Sequence, residues 1–120
     1  MQNKSYREIN RQQRQLGHAF MQESQSTMNQ FMQLHKAAMS PGALDVKTKE
    51  LIALGIGIAA RCDGCIAAHV QAAIKAGAVK AEVVETINVA VLMGGGPSLV
   101  FGTQALAAVE ELMEAELTEA

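Results

Sequence analysis

The sequence predicts an all-α fold, a single-domain bundle of five to six helices. Its 120 residues are about the size of one domain. The composition is rich in Ala, Leu, Ile, Val and Met but has only three Phe, one Tyr and no Trp, which suits closely packed helices better than a sheet. Apolar residues recur at helical spacing, and no alternating run indicates a strand.

Residues 1–39 predict one long polar helix. Its surface is rich in Gln, Ser, Arg and Asn, and its larger apolar residues recur at spacings of a narrow helical stripe: Ile9, Leu16, Phe20, Met28, Phe31 and Leu34. Such a stripe buries little alone, so residues 1–39 are expected to form either a solvated arm or an oligomerisation element. Residues 40–120 are expected to form the helical core. His18 and His35 have no partner nearby in sequence, which predicts surface or packing roles for both.

The second helix is predicted at Val46–Ala60. Pro41–Gly42 ends the first helix, and Asp45 is a suitable N-cap for the second. This helix is apolar nearly all round, which is typical of a central helix. Gly55 and Gly57 each cost roughly 1 kcal/mol relative to Ala, a cost expected where another backbone comes close.

Three further helices are predicted. The third begins at the cysteine pair and stops at Gly77, the fourth covers Lys80–Met93, and the fifth runs from Pro97 toward Glu116. The GGGP stretch at 94–97 is predicted to be a tight turn between helices. A phosphate-binding loop is the alternative, but no strand precedes it and no Lys-Ser/Thr follows it.

Charge and hydropathy exclude several classes of partner. The formal net charge is −2 and the ten Lys and Arg residues are scattered, so neither a nucleic acid nor an acidic membrane is expected to bind. The N-terminus lacks the apolar core of a signal peptide, and the most apolar stretch, Leu51–Ala60, is too short to cross a bilayer. A cytoplasmic location is therefore expected, where a close cysteine pair is more often catalytic or metal-binding than structural.

The stretch RCDGCIAAHV holds the two cysteines of the chain, Cys62 and Cys65, followed by His69. The start of a helix favours a thiolate through its unpaired N–H groups and its dipole. His69 lies one turn after Cys65 on the same face, so it can act as a base beside a nucleophile. Cys62 is three residues before Cys65, close enough to resolve the product that Cys65 forms after nucleophilic attack. The alternatives are a metal site and two buried structural cysteines.

Helix pairing adds Glu50 to this group. If the second and third helices form an antiparallel hairpin, residues whose numbers sum to about 120 lie side by side. Glu50 then lies beside His69, and Cys65 lies opposite Leu54 or Gly55. A carboxylate next to an imidazole fixes its orientation, so the three could relay a proton from Cys65 through His69 to Glu50. Without the hairpin, Glu50 would be an ordinary exposed helix residue.

Zinc is the main metal alternative, with Cys62, Cys65, His69 and Glu50 as four ligands. Structural zinc sites usually draw their ligands from two separated loops, whereas this set lies largely on one helix. A c-type haem is not expected, because Ile66 rather than His follows the second cysteine. The sequence therefore predicts neither a metal nor a cofactor.

The combined pattern resembles a known family. Glu50, eleven residues, CDGC and three residues to His69 follow one another after DVKTKELIALGIGIA and before AVLMGGGPSLVFG. This arrangement closely resembles the carboxymuconolactone decarboxylase superfamily in its alkylhydroperoxidase D-like branch, over Ser40–Leu112. The resemblance implies an all-helical homo-oligomer, commonly a trimer or hexamer, with peroxidase or disulfide-reductase activity. By matching position, Cys65 would be the thiolate that attacks the peroxide, and Cys62 would be the resolving thiol. His69 with Glu50 would relay protons.

One position departs from the family pattern. Its best-known members carry a histidine before the second cysteine, where this chain has Gly64. The decarboxylases that name the superfamily lack the cysteine pair, which argues against that lyase reaction here. The expected partners are a hydroperoxide and an external dithiol reductant, a lipoyl- or thioredoxin-like protein. The alternative is a redox-sensing or scaffold oligomer with little peroxidase turnover.

Overall fold

The computed structural model describes residues 4–119 and shows an all-α architecture. Its helices are α1 (Tyr6–Glu23), α2 (Gln25–Met39), α3 (Val46–Ala59), α4 (Asp63–Lys75), α5 (Lys80–Gly94) and α6 (Gly96–Glu119). The described part of the chain contains no strand. The predicted class, a helical bundle with a central antiparallel hairpin, is confirmed.

The prediction of a single helix over residues 1–39 is wrong. The structure has α1 and α2, separated at Ser24, whose backbone leaves the helical region (φ −137°, ψ 54°). The Ser24 side chain makes no capping hydrogen bond to α2, and none of the residues of α2 is buried, so no core packing of α2 keeps it in line with α1. The first three residues of that predicted helix lie outside the described range.

The two N-terminal helices differ in how they pack. α1 lies on α4 and α6, and it buries Tyr6 and Asn10. Asn10 Nδ2 donates a hydrogen bond of 3.0 Å to the carbonyl oxygen of Ala67 in α4. α2 contacts α1 and α3 and buries none of its residues. The start of α1 is thus part of the core, whereas α2 lies on its surface.

α3 and α4 form the central hairpin. The Asp45 side chain caps α3 by accepting a hydrogen bond of 2.8 Å from the Thr48 N–H. At the other end, Arg61 adopts φ +58°, and the Cys62 N–H donates to the Gly57 carbonyl at 3.0 Å. A left-handed residue just after a helix is a common way to reverse the chain. Here it allows α4 to start immediately.

α3 and α4 come close together at Gly57. A Cβ atom there would lie 3.0 Å from the Cβ of Cys65. A Cβ on Gly55 would lie 3.5 Å from Cγ2 of Thr86, which is an ordinary contact. Cys65 therefore lies opposite Gly57, and no atom of Cys65 lies within 4 Å of a Cβ built at Gly55.

The remaining connections between helices contain glycines at the predicted positions. α4 is followed by Gly77 with φ +98°, and α5 is capped by Gly95 with φ +71°. Both values lie in a region that glycine enters without steric cost. α6 begins at Gly96, so the predicted tight turn in the GGGP stretch is made by Gly95 alone, and no phosphate-type loop is formed there.

The core lies where α1, α3, α4, α5 and α6 meet. Its fully buried large side chains include one tyrosine and six aliphatic residues: Tyr6, Leu54, Ile58, Ile66, Val70, Val83 and Val109. Over residues 4–119, none of the helices has both the length and the apolar character that crossing a bilayer requires.

Candidate functional site

Cys62 and Cys65 lie at the first turn of α4. Cys62 is the N-cap, and its Sγ accepts a hydrogen bond of 3.1 Å from the Cys65 N–H. The two sulfur atoms form a disulfide, with the Cα atoms 5.2 Å apart. A sulfur at this position faces the unpaired N–H groups of the helix start, which stabilise negative charge. The pair is therefore placed to switch between disulfide and thiolate within a single helical turn.

The structure brings Glu50 and His69 together across the hairpin. His69 Nδ1 lies 2.7 Å from Glu50 Oε1, as the pairing of the two helices predicts. Glu50 is buried, with 7% of its surface exposed, whereas 23% of the His69 side chain is exposed to solvent. In a neutral imidazole whose Nδ1–H donates to the carboxylate, Nε2 holds the lone pair. His69 thus lies one helical turn from Cys65 along α4, with its Nδ1 held by Glu50.

Sequence reasoning missed a second group of residues beside the cysteines. Lys4 Nζ lies 2.8 Å from Asp63 Oδ2 and also donates a hydrogen bond of 2.8 Å to Gln104 Oε1. The Tyr6 hydroxyl donates to the same Gln104 oxygen at 3.2 Å. Lys4 is 59 positions from Asp63 and 100 from Gln104, so no local pattern signals these contacts.

Burial and nearby negative charges change the pKa of the Tyr6 phenol. Burial raises the pKa of Tyr6 to about 12, with further contributions from the negative charges of Asp63 and Glu111. Its phenol is therefore a hydrogen-bond donor throughout the physiological pH range.

Gly64, between the cysteines, is in open space. No atom outside its immediate helical surroundings lies within 4 Å of a Cβ built there, and its φ is not positive. A side chain at this position would therefore meet no steric obstacle.

The two remaining histidines of the chain lie apart from this site. His18 and His35 are exposed on α1 and α2, in agreement with the predicted surface roles. No three His, Cys, Asp or Glu side chains within residues 4–119 converge as a group that could hold a metal ion.

Comparison with known proteins places the chain in a family. The profile of the carboxymuconolactone decarboxylase family matches residues 25–111. An uncharacterised protein of Cupriavidus necator is 34% identical over 105 residues, which are 88% of this chain and 89% of that protein. The apo crystal structure of a carboxymuconolactone decarboxylase family protein from Legionella pneumophila has a TM-score of 0.86 and 42% identity, covering 89% of this chain and 96% of that one.

A further solved structure is a family member from Thermotoga maritima, for which a possible role in the antioxidative response is named. It has a TM-score of 0.72 and 36% identity, and it covers 77% of this chain and 95% of that one. This chain belongs to the carboxymuconolactone decarboxylase family. The matched region begins at α2, earlier than the Ser40–Leu112 stretch that carried the resemblance, and it contains both cysteines, His69 and Glu50.

Proposed function

We propose that this protein is a thiol-dependent peroxidase and disulfide oxidoreductase that reduces hydroperoxides through Cys62 and Cys65. The observation that carries the proposal is the disulfide at the start of α4 with the Glu50–His69 pair one turn away. The similar protein of Thermotoga maritima, with its possible antioxidative role, supports the same class of reaction.

In the proposed oxidative half-reaction, His69 takes the proton of the Cys65 thiol and Glu50 stabilises the imidazolium that forms. The thiolate attacks the terminal oxygen of the hydroperoxide, so that a sulfur–oxygen bond forms and the oxygen–oxygen bond breaks. The leaving alkoxide takes the proton back from His69 and departs as an alcohol. Cys65 is left as a sulfenic acid.

In the reductive half-reaction, the Cys62 sulfur attacks the sulfenic sulfur of Cys65, forming the disulfide and releasing water. An external dithiol, a lipoyl- or thioredoxin-like protein, then supplies two electrons and two protons and becomes a disulfide itself. Because the Cα atoms are already 5.2 Å apart in the first turn, the cycle needs no refolding of α4.

The test is a steady-state assay with hydrogen peroxide and with an organic hydroperoxide, using a small dithiol as reductant. Wild-type protein should consume peroxide with ping-pong kinetics, and Cys65→Ser should abolish turnover. Cys62→Ser should accumulate a sulfenic acid or a mixed disulfide on Cys65, detectable by mass spectrometry. Wild-type turnover in Cys65→Ser would refute the assigned roles.

The alternative is a redox-sensing or scaffold subunit that is oxidised but turns over poorly. Gly64 motivates it, because the well-studied relatives have a histidine there. Slow, stoichiometric oxidation of the dithiol without repeated turnover would favour the sensor, and sustained peroxide consumption would favour the enzyme. Either activity needs a compartment that keeps thiols reduced, so we propose a cytoplasmic location for both.

We also propose a homo-oligomer, a trimer or hexamer. An apolar groove of about 430 Å³ lies between α3 and α5, and Ile56, Val89 and Met93 on its lining are 65%, 61% and 78% exposed. A contiguous apolar patch of this kind is typical of a protein interface. Analytical ultracentrifugation should give a trimer or hexamer that Ile56→Lys dissociates and Leu117→Lys, at an exposed site on α6, does not. A monomeric wild-type protein would refute the proposal.

A further inference from the structure

An ionic contact joins the beginning of the chain to the residue that follows the first cysteine. The Lys4 ammonium lies 2.8 Å from Asp63 Oδ2, and the same group donates to Gln104 Oε1 at 2.8 Å. It also lies 5.8 Å from the ring centroid of Phe101, within the range of a cation–π contact. The ammonium is therefore held between the start of α4 and the side of α6.

Asp63 places a negative charge between the two cysteines. It is the first residue of α4, and its other oxygen, Oδ1, is buried without a hydrogen-bond partner among the described residues. Its carboxylate competes with a thiolate for the same helix start, and like charges at short range disfavour one another. A thiolate on Cys62 or Cys65 would thus form more readily when the Asp63 charge is compensated.

The segment that carries Lys4 is fixed to α6. The Tyr6 N–H donates to Glu111 Oε1 at 2.7 Å, and the Ser5 hydroxyl donates to Glu111 Oε2 at 2.7 Å. The Tyr6 ring is 1% exposed in the core, and its hydroxyl shares the Gln104 oxygen with Lys4. These contacts fix the backbone next to Lys4, so its ammonium is directed to Asp63 although the Lys4 side chain is 47% exposed.

We infer that Lys4 is a positioning residue for the dithiol, because its ammonium compensates the Asp63 carboxylate and thereby favours the reactive thiolate. The inference deepens the proposed function, since a more populated thiolate reacts faster with a hydroperoxide. Lys4 is not placed in contact with the peroxide or the sulfur atoms. Its effect is transmitted through Asp63.

The test measures the rate at which iodoacetamide alkylates the fully reduced protein as a function of pH, with mass spectrometry to identify the modified cysteine. Lys4→Met should move the midpoint of the profile upward by roughly half a unit, the size expected for a partly exposed charge pair. The alkylation rate near neutral pH should then fall by about threefold. The difference should shrink at about 1 M salt, where exposed charges are screened.

Four further variants separate charge from structure. Lys4→Arg retains the charge and should keep the wild-type profile, and Asp63→Asn should move the midpoint downward. Lys4→Met should raise the midpoint less in the Asp63→Asn background than in the wild type, because Asp63 is the ionic partner that holds the Lys4 ammonium at the start of α4. Lys75→Met removes an exposed charge from the far end of the same helix and should change the midpoint little.

Other ionisable groups lie on α4, beside it in sequence, or on the helices packed against it, and they are retained in every variant: Tyr6, Glu50, Arg61, His69 and Glu111. Comparison between variants therefore isolates the Lys4–Asp63 pair. An unchanged midpoint in Lys4→Met would overturn the inference. So would an upward shift of the same size when Lys4→Met is introduced into Asp63→Asn, because Lys4 would then act without its carboxylate.

The same experiment keeps the inference separate from the proposed function, because alkylation needs no peroxide. If the wild-type protein fails to reduce hydroperoxides but Lys4→Met shifts the alkylation profile, the peroxidase proposal fails and the charge effect stands. If the wild-type protein is an active peroxidase and Lys4→Met leaves the profile unchanged, the inference alone fails.

Discussion

Replacing Gly57 with alanine is expected to destabilise the α3–α4 hairpin that carries the candidate site, whereas the same change at Gly55 is expected to stabilise the protein. Both glycines lie inside α3. Alanine is favoured over glycine by about 0.5–1 kcal/mol in a helix, so this contribution is similar in the two variants. What differs is the space available to the new methyl group.

The structure sets the size of that difference. At Gly57 the new Cβ would lie 3.0 Å from Cys65 Cβ and 3.7 Å from the Cys65 carbonyl carbon. These atoms belong to the backbone and to the root of a side chain held by a disulfide, so they cannot rotate away. Overpacking of this kind costs about 1–3 kcal/mol. At Gly55 the nearest atom is Cγ2 of Thr86 at 3.5 Å, which adds no such cost.

Urea denaturation of the oxidised proteins, at one pH and one protein concentration, measures the result. Gly55→Ala should raise the free energy of unfolding by about 0.5–1 kcal/mol, and Gly57→Ala should fall below Gly55→Ala by about 1–3 kcal/mol. The helical propensity cancels in this comparison, so the difference reports the close approach of α3 and α4. Equal stability of the two variants would refute that reasoning.

Three further outcomes are expected. Glu50→Gln should lower the peroxidase kcat/KM by about 10²-fold, because an amide cannot stabilise the His69 imidazolium, and wild-type steady-state kinetics in this variant would contradict the relay. Gly64→His should fold like the wild type, since a side chain there meets open space, and a large loss of thermal stability would contradict this. Tyr6, the one tyrosine of the chain, should ionise near pH 12 in an ultraviolet tyrosinate titration. Because its folded-state pKa is raised, its contribution to stability is present below pH 10 and lost as the pH rises toward 12, and a pH midpoint near 10 would contradict this.

Local patterns made much of the fold predictable. Asp45 as an N-cap and glycines at the ends of α4 and α5 act through neighbouring residues, and the structure has both as expected. The central position predicted for α3 holds for Leu54 and Ile58, which are fully buried, whereas Ile52 and Ile56 are 47% and 65% exposed. The contact between Glu50 and His69 could also be predicted from the sequence, because the residues are 19 positions apart on two helices joined by a short turn. A short connection leaves antiparallel packing as the simplest arrangement, which determines the neighbours approximately.

The details of that hairpin needed the tertiary structure. The chain reverses through the left-handed Arg61, and Cys65 faces Gly57 rather than Gly55. The break between α1 and α2 at Ser24 could not be predicted from the sequence, because a polar helix with a narrow apolar stripe carries no strong stop signal.

The sequence by itself determined the helical class, the placement of two cysteines at a helix start and a histidine one turn later, because these depend on spacing along one chain segment. Only the tertiary structure decided that Lys4 meets Asp63 and that Tyr6 meets Gln104, across 59 and 98 positions. Those contacts arise from the way α1 lies over α4 and α6. No periodicity or cap encodes such packing, because it depends on the fit of surfaces that form only when the distant helices come together.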